Sequence, residues 1–303
     1  MIRVIVTSYK EPKATEHAVN ALLSQKCDQE FKIIVTDPFP EVEEYIKKRF
    51  GDNKKVQFVR DSGEGKSVTL NQMMEEYWSE DTKNILMFTD GDVYLDPNAL
   101  QEVMNIFKDN QIGVVCGHPV AVNERNTMFG FWAHLAFDEM NNTRVKLAKK
   151  KKFFEVSGYL FAIRNGVIKS FSTESSEDNV IPHLFWEKGL KIGYAENARV
   201  FVLNPQNMKD WINQKKRNIK GHISLTRTVG EKRERKNTFL GEAKRGLKMI
   251  RYPKDVAEYA WFLMLMGARA YAWMRAMYEA KVKKQQYKDG WREVEMQSTK
   301  PLD

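Results

Sequence analysis

The sequence predicts an α/β protein in which helices flank a doubly wound, mostly parallel β-sheet. Short apolar runs alternate with segments that carry apolar residues at helical spacing, and this order recurs four times within residues 1–205. Polar and charged residues follow the ends of the apolar runs. The last third of the chain differs in character and predicts a helical, basic carboxy-terminal extension.

Five apolar runs are predicted as strands because each is short, rich in β-branched residues and bounded by turn residues. They lie at Ile2–Thr7, Phe31–Thr36, Val56–Val59, 85–89 and 113–116. Helices are predicted between them at 15–25, 41–50, 67–78 and 97–108, and a further helical pattern covers 180–188. Ligands bind beyond the carboxyl ends of strands in such sheets, so functional side chains are expected at 8–11, 37, 60–66 and 90–92.

Composition excludes several classes of protein. With 303 residues and 42% hydrophobic residues, the chain is long enough for one large or two modest domains. The two cysteines are isolated, which argues against a disulfide scaffold and a zinc finger. The amino terminus lacks the pattern of a signal peptide, so a cytoplasmic protein is expected.

The positive charge is concentrated in the last third. Residues 206–303 hold 23 Lys and Arg against 11 Asp and Glu, a net of +12, whereas residues 1–205 have a net of −3. Basic runs lie at 214–220 and 231–236. This surface predicts an anionic partner such as a phosphorylated ligand, a membrane surface or a nucleic acid, and a merely soluble basic surface is the alternative.

Residues 255–281 predict one amphipathic helix with many aromatic and methionine residues. Its longest uncharged stretch, 259–268, is ten residues, which is too short to span a membrane. Two alternatives follow for its wide apolar side. That side packs on the rest of the chain or on a second copy, or its Trp and Tyr residues lie in a membrane interface beside the basic runs.

The strongest local motif is Asp90-Gly91-Asp92, which follows a hydrophobic strand. Two carboxylates one residue apart can hold a hard divalent cation together with water and the oxygens of a diphosphate. Gly91 lets ligand and backbone come close. A solvated acidic turn is the alternative for this motif.

Two further segments carry chemistry. Gly65-Lys66-Ser67 resembles the end of a phosphate-binding loop, but Arg60 stands where the Walker pattern needs glycine, so a P-loop NTPase is rejected. Lys66 is instead placed to meet an anion at a helix start, or is a solvated lysine. Asp178, in Ser176-Glu177-Asp178, is either a helix cap or a base that removes a proton from a hydroxyl.

In their order, these motifs resemble those of the inverting family 2 glycosyltransferases with a GT-A fold, over roughly residues 1–222. The first strand with Ser8, Tyr9 and Glu11 is similar to the family's first strand and nucleobase loop. Asp37 matches the aspartate that contacts the base, although the usual Asp-Asp-Gly-Ser is here Thr-Asp-Pro-Phe. Further matches are Gly65-Lys66 with Leu70-Asn71, the DxD motif at 90–92, the strand led by Gly158, and Glu177-Asp178.

A further likeness lies at Gln214 to Asn218, which resembles the Gln-x-x-Arg-Trp motif of the family's processive polysaccharide synthases. Here Asn218 replaces the tryptophan, so processivity is not expected. The resemblance implies that Gln214 and Arg217 contact the diphosphate or the acceptor. It predicts two domains, a glycosyltransferase domain at 1–222 and a basic, amphipathic helical extension with a flexible tail at 223–303.

The resemblance implies a metal-dependent, inverting transfer of a sugar from a UDP- or GDP-sugar to a hydroxyl of a glycan or lipid-linked acceptor. Asp178 would be the general base, and Mn²⁺ or Mg²⁺ would be held by Asp90, Asp92 and His222. Ser8, Tyr9, Glu11, Asp37, Lys66, Asp90 and Gly91 would bind the donor, and Gly158, Glu177, Gln214 and Arg217 the diphosphate or acceptor.

Several alternatives stay open. The acceptor can instead be a polyprenyl phosphate, whose oxygen is already anionic and needs no base. A sugar nucleotidyltransferase is a third enzyme class, but Thr7 to Pro12 is not its glycine-rich, basic loop. From another class, the chain could be a non-catalytic protein that binds nucleic acid or membrane through its basic third, although no nucleic-acid signature accompanies the charge. Two further possibilities stay open: the protein associates peripherally with the inner face of the cell membrane, and it forms a homo-oligomer.

Overall fold

The centre of the molecule is an eight-stranded mixed sheet. The computed structural model describes residues 1–229 and 239–283, so the basic run at 231–236 and the predicted tail from residue 285 lie outside the described residues. The strands are β1 (Ile2–Thr7), β2 (Phe31–Thr36), β3 (Val56–Val59), β4 (Ile85–Asp90), β5 (Tyr94–Leu95), β6 (Ile112–Ala121), β7 (Leu160–Arg164) and β8 (Lys191–Val202). Their order in the sheet is β3-β2-β1-β4-β7-β6-β8-β5.

The pairing confirms the prediction of a mostly parallel sheet. Strand β1 is parallel to β2 and β4, β2 is parallel to β3, and β6 is parallel to β8. Strand β7 runs antiparallel to β4 and β6, and β5 runs antiparallel to β8. The carboxyl ends of β1, β2 and β4 therefore meet at one edge.

Helices cover both faces of the sheet and form a further layer. They are α1 (Pro12–Leu23), α2 (Pro40–Phe50), α3 (Lys66–Glu76), α4 (Ala99–Ile106), α5 (Met128–Lys149), α6 (Glu177–Glu187), α7 (Met208–Val229), α8 (Phe239–Lys248) and α9 (Val256–Lys281). Alternate residues of β1 enter two cores. Val4 and Val6 pack with residues of α1, α2 and α4, whereas Ile5 packs with residues of α3 and α6.

Predicted and observed elements agree best in the first half of the chain. The first three strands have the predicted bounds, and β4 and β6 are longer than predicted. Helix α3 begins at Lys66 rather than Ser67, because Gly65 adopts a φ of 135° just before it. Helix α1 begins earlier than predicted, at Pro12, and α4 is shorter at both ends. The 22-residue helix α5 was not predicted.

The carboxy-terminal helices pack on the rest of the chain. Phe262, Leu265 and Trp273 of α9 lie in one apolar cluster with Trp132 of α5 and Trp211 of α7. The indole nitrogen of Trp132 donates to the carbonyl of Trp261 at 2.8 Å. One face of α9 therefore packs on the rest of the chain, which confirms the first of the two predicted alternatives for that face.

Helix α7 runs through the predicted domain boundary after residue 222 without a break. The division into domains 1–222 and 223–303 stays a prediction. Within residues 1–229 and 239–283, every helix is too short or too polar to cross a membrane.

Candidate active site

The site begins where three parallel strands end side by side. Thr7 pairs with Thr36 and with Asp90 in the sheet, so the residues that follow these strand ends lie close together. The amide of Gly91 donates to the carbonyl of Thr7 at 2.8 Å. A Cβ at Gly91 would come 3.1 Å from Ser8 Cβ, so this turn packs too tightly for a larger residue.

Asp37 is buried at this edge. Its Oδ2 accepts the amide of Lys10 and its Oδ1 the amide of Phe39, both at 2.9 Å. Burial raises the pKa of Asp37 to about 6, although these hydrogen bonds oppose the shift. Tyr9 packs edge to face on Phe39, with ring centroids 5.0 Å apart. The loops after β1 and β2 are thus tied together around one carboxylate.

A second cluster joins β4, α3 and α6. Lys66 Nζ lies 2.5 Å from Asp90 Oδ1 and 3.0 Å from Glu177 Oε1, and it donates to the carbonyl of Gly158 at 3.3 Å. Burial disfavours the charged ammonium, but the attraction of both carboxylates outweighs it and raises the pKa of Lys66. Burial also raises the pKa of Glu177, against the attraction of Lys66. One cation therefore holds the buried carboxylate of Glu177 and the half-buried carboxylate of Asp90.

Asp178 is the second residue of α6. Its Oδ1 is buried and accepts no hydrogen bond from any residue that the structure describes. Burial raises the pKa of Asp178, although a hydrogen bond from Ser176 opposes the shift. A buried acceptor without a donor is costly, so such groups are enriched where a ligand supplies the missing contact.

Gly158 leaves open the space beside these groups. A Cβ at this position would come 3.0 Å from Glu177 Oε1, 3.4 Å from Lys66 Nζ and 3.9 Å from Asp178 Oδ2. The glycine at the entrance of β7 therefore gives the three charged groups a common free volume.

A cavity of about 750 Å³ opens at this edge of the sheet. All of the predicted site residues line it except Asp37, which is buried; the lining ones are Ser8, Tyr9, Glu11, Lys66, Asp90, Gly91, Asp92, Gly158, Glu177, Asp178, Gln214, Arg217 and His222. The fold thus gathers residues from the two ends of a segment of more than 200 residues. Their roles stay predictions.

The helical wall of this cavity was not predicted from the sequence. Trp132 of α5, Lys215 of α7, Glu242 of α8 and Arg269 of α9 also line it. Lys215 Nζ lies 5.6 Å from the centroid of the Trp211 ring, and burial lowers the pKa of Lys215 to about 8. The signal for α5 was the nearly continuous apolar run at 128–137, whose length of ten residues favours a helix over a strand.

The predicted metal ligands Asp90, Asp92 and His222 are not grouped as closely as Lys66, Asp90 and Glu177 are. In residues 1–229 and 239–283, no three His, Cys, Asp or Glu side chains form a group that could hold a metal ion. His222 Nδ1 lies 3.8 Å from Glu155 Oε1, and Asp90 is engaged by Lys66. The donor set therefore fits a hard cation that is held by one or two carboxylates together with substrate phosphate oxygens, which is typical of Mg²⁺.

Comparison with known proteins gives one family. The model of the glycosyltransferase-like family 2 matches residues 2–221, which include β1 to β8 and most of α7. No curated protein matches the sequence.

Solved structures with a similar fold include those of two proteins at low sequence identity. The mannosyltransferase PcManGT from Pyrobaculum calidifontis, in complex with GDP-Man and Mn²⁺, is 14% identical with a TM-score of 0.64, over 94% of this chain and 88% of that one. TarS from S. aureus is 13% identical with a TM-score of 0.50, over 93% of this chain and 45% of TarS. Residues 1–349 of TarS, in complex with UDP-GlcNAc, are 14% identical with a TM-score of 0.49, over 89% and 81%.

Proposed function

The chain belongs to the glycosyltransferase-like family 2 and is a glycosyltransferase with a GT-A fold, and from this premise we propose its reaction. It moves a sugar from a UDP- or GDP-sugar to a hydroxyl of a glycan or lipid-linked acceptor, with a divalent metal ion and with inversion at the anomeric carbon. We place this reaction in the cytoplasm.

The observation that carries the proposal is the environment of Asp178. Its buried Oδ1 has no hydrogen-bond donor among the described residues, and the side chain lines the cavity. Oδ1 is closed off from the cavity, so an acceptor hydroxyl would donate to Oδ2, the oxygen beside Gly158, and would lose its proton to this carboxylate during transfer. The raised pKa strengthens the carboxylate as a general base near neutral pH. Attack by that oxygen opposite the leaving diphosphate inverts the anomeric carbon.

The donor would bind at the strand ends. Ser8, Tyr9 and Glu11 line the cavity beside the loop that Asp37 ties down, and there they would hold the base and ribose. Asp37 is buried and does not line the cavity, so it would act on the donor indirectly, by holding the loop of Tyr9 and Lys10 in place through the amide of Lys10. Gly91 lets the nucleotide approach the backbone.

The diphosphate would lie between the carboxylates of Asp90 and Asp92 on one side and the side chains of Gln214 and Arg217 on the other. Asp92, with Asp90, would hold Mn²⁺ or Mg²⁺ through carboxylate oxygens, and the metal ion would neutralise charge on the leaving diphosphate. Arg217 and Gln214 line the cavity from α7, where a fixed cation and an amide stabilise the same charge. His222, which lies beside Glu155, is not part of this proposed set.

The acceptor would enter along the helical wall. Trp132 and Trp211 provide aromatic surface there, and Lys215 provides positive charge, whereas Arg269 is paired with Glu242. A cation at this wall favours an acceptor that carries phosphate, which includes the polyprenyl phosphate of the second candidate function. A phosphate oxygen is already anionic, so in that reaction Asp178 would be dispensable.

The first test is calorimetric titration of the protein with UDP and with GDP, each with and without Mn²⁺. We expect metal-dependent binding of one nucleotide and its loss in Asp92→Ala. Asp52→Ala, which removes an exposed carboxylate after α2, is the matched control and should bind as the wild type does. Binding of neither nucleotide, or unchanged binding by Asp92→Ala, would contradict the proposed donor site.

A further inference from the structure

Helix α9 exposes a long apolar surface on the side that faces away from the cavity. Large hydrophobic side chains there are strongly exposed, with Val256 at 86%, Leu263 at 70% and Met274 at 64%. We call this surface the α9 stripe, and it consists of Val256, Tyr259, Leu263, Met264, Tyr271, Met274, Tyr278 and Val282. Isolated exposed hydrophobic residues are normal, whereas a contiguous row along one helix indicates a binding surface.

The spacing makes the stripe continuous. Steps of three or four residues lead from 256 to 282 along one side of the helix over about 39 Å, with Gly267 as the step between Leu263 and Tyr271, and none of these positions is charged. The opposite face is already covered, because Phe262, Leu265 and Trp273 pack against α5 and α7. The stripe is therefore not needed to attach α9 to the molecule, and no described residue buries its most exposed members.

The charges around the stripe are sorted by sign. Glu258 pairs with Arg125, and Glu279 pairs with Lys216 at 2.9 Å and Lys220 at 2.6 Å, so both carboxylates of α9 point into the molecule. The exposed basic residues remain outside, and they are Arg251, Lys254, Arg275, Lys281 and Lys283. Of these, Arg275 also lies 3.8 Å from Glu279. Asp255 is exposed but caps the helix through the amide of Glu258. An apolar row bordered by cations results.

We propose that the α9 stripe binds the surface of an anionic lipid bilayer, with α9 lying parallel to the membrane. Leucine, methionine and tyrosine side chains enter the boundary between headgroups and acyl chains, and the bordering cations attract anionic headgroups. Tyrosine is typical of such interfaces because its ring is apolar and its hydroxyl is polar. A second copy of the chain would need carboxylates to meet these cations, and the exposed side of α9 offers only Asp255 among the described residues.

The position of α9 connects this surface with the cavity. Leu265, Arg269 and Trp273 line the cavity from the inner face of the same helix. The bilayer would then lie about one helix diameter, roughly 10 Å, from the cavity wall. On the premise of the proposed function, this arrangement favours a lipid-linked acceptor, whereas lipid binding itself does not depend on that function.

The test is vesicle flotation with phosphatidylcholine alone and with phosphatidylcholine mixed with phosphatidylglycerol. We expect the protein to float with the mixed vesicles and much less with the neutral ones. Leu263→Glu/Met274→Glu should lower the partition coefficient about tenfold or more, because two carboxylates replace side chains that enter the bilayer. Gln57→Glu/Val122→Glu adds the same charge at exposed positions away from α9 and should float as the wild type does.

A second variant, Arg275→Gln/Lys281→Gln, separates charge from apolar contact. It should reduce flotation with mixed vesicles and leave the weak binding to neutral vesicles unchanged. Thermal unfolding of each variant checks that the exposed substitutions leave the fold intact.

Two results would overturn the proposal. One is wild-type protein that does not float, or that floats equally well after Leu263→Glu/Met274→Glu. The other is a dimer in analytical ultracentrifugation that this variant converts to a monomer, because the stripe would then bind a second copy. Nucleotide titration without vesicles does not involve the stripe, so failure of lipid binding and failure of the proposed reaction are distinguished.

Discussion

Lys66 Nζ lies 3.0 Å from Glu177 Oε1, and this contact joins the first turn of α3 to the first turn of α6. A cation at a helix amino terminus is unfavourable because it meets the positive end of the helix dipole. The carboxylates of Glu177 and Asp90 offset that cost. The arrangement holds β4 and two helices at the cavity through one ammonium group.

Replacement of Lys66 by methionine should therefore affect both stability and donor binding. The buried carboxylate of Glu177 and the half-buried one of Asp90 would lose their cation, and we expect the free energy of unfolding to fall by about 3 kcal/mol. Nucleotide affinity should fall about tenfold or more, because Asp90 would no longer be held in place. Urea unfolding and calorimetric titration measure the two effects.

The double variant Lys66→Met/Glu177→Gln is the control for this ion pair. It removes the unpaired charge at Glu177 and should recover part of the lost stability but not the nucleotide affinity. If Lys66→Met unfolds at the same urea concentration as the wild type, the ion pair does not stabilise the fold.

Asp37→Asn should make the protein more stable at neutral pH. An aspartate in the unfolded chain titrates near 3.9, whereas burial raises the pKa of Asp37 to about 6. Above pH 6 the folded state thus holds an unfavourable charge, and below about pH 4 both states are protonated and the cost disappears. Asparagine should add about 2 kcal/mol at pH 7.5, after allowance for one weakened hydrogen bond.

This gain should shrink as the pH falls from 7.5 to 5, and urea unfolding at both values measures it. If Asp37→Asn is less stable than the wild type at both pH values, the carboxylate is favourable as a charged group. The interpretation of its raised pKa would then be wrong.

Donor binding should depend on the charge of Asp37 in the opposite way to stability. Ionisation of Asp37 lowers the stability of the fold but should favour nucleotide binding. If the ionised carboxylate holds the loop after β1 in place for the base by accepting the amide of Lys10, nucleotide affinity should weaken as the pH falls through about 6. Asp37→Asn should bind the nucleotide more weakly than the wild type at pH 7.5, and its affinity should change little between pH 7.5 and 5. Titrations at the two pH values test this, and an equal loss in both proteins would assign the pH effect to another group.

Asp178→Asn should separate donor binding from transfer. Asparagine cannot take a proton, so we expect the rate of transfer to fall by about 10² to 10⁴ while nucleotide affinity stays within about twofold. The wild-type rate should decline on the acidic side at a pH above 3.8, because burial raises the pKa of this carboxyl group. A radiolabelled-sugar transfer assay across pH measures both. Near-normal transfer by Asp178→Asn would favour an acceptor phosphate that needs no base.

Local sequence predicted the strands and the loops of the site but not the contacts between them. The runs at β1, β2 and β3 are apolar, rich in β-branched residues and bounded by polar residues, so local pattern alone determines their bounds. Polar residues at 138, 139 and 141–143 obscure the pattern of α5, whose Phe131 and Trp132 pack on the distant helix α9. Likewise, Lys66 and Glu177 are 111 positions apart in the chain, so no local pattern reveals their ion pair.

The glycine at 158 provides a test of the space between the charged groups. Its φ is not in the left-handed region, so alanine fits the backbone and should leave the free energy of unfolding within about 1 kcal/mol of the wild type. The new Cβ would come 3.0 Å from Glu177 Oε1 and 3.4 Å from Lys66 Nζ, so these side chains must move. Misplacement of this order costs about tenfold to a hundredfold in rate, and we expect Gly158→Ala to lose transfer activity to that extent.

Gly158→Ala/Glu177→Asp is the partner variant, because the shorter carboxylate withdraws from the new methyl group. It should be more active than Gly158→Ala, whereas Glu177→Asp alone should be less active than the wild type, since it lengthens the contact with Lys66. Transfer rates of the three variants at saturating donor give this comparison. If Gly158→Ala retains full activity, Glu177 and Lys66 can shift without consequence, and the free volume beside Asp178 is not required for transfer.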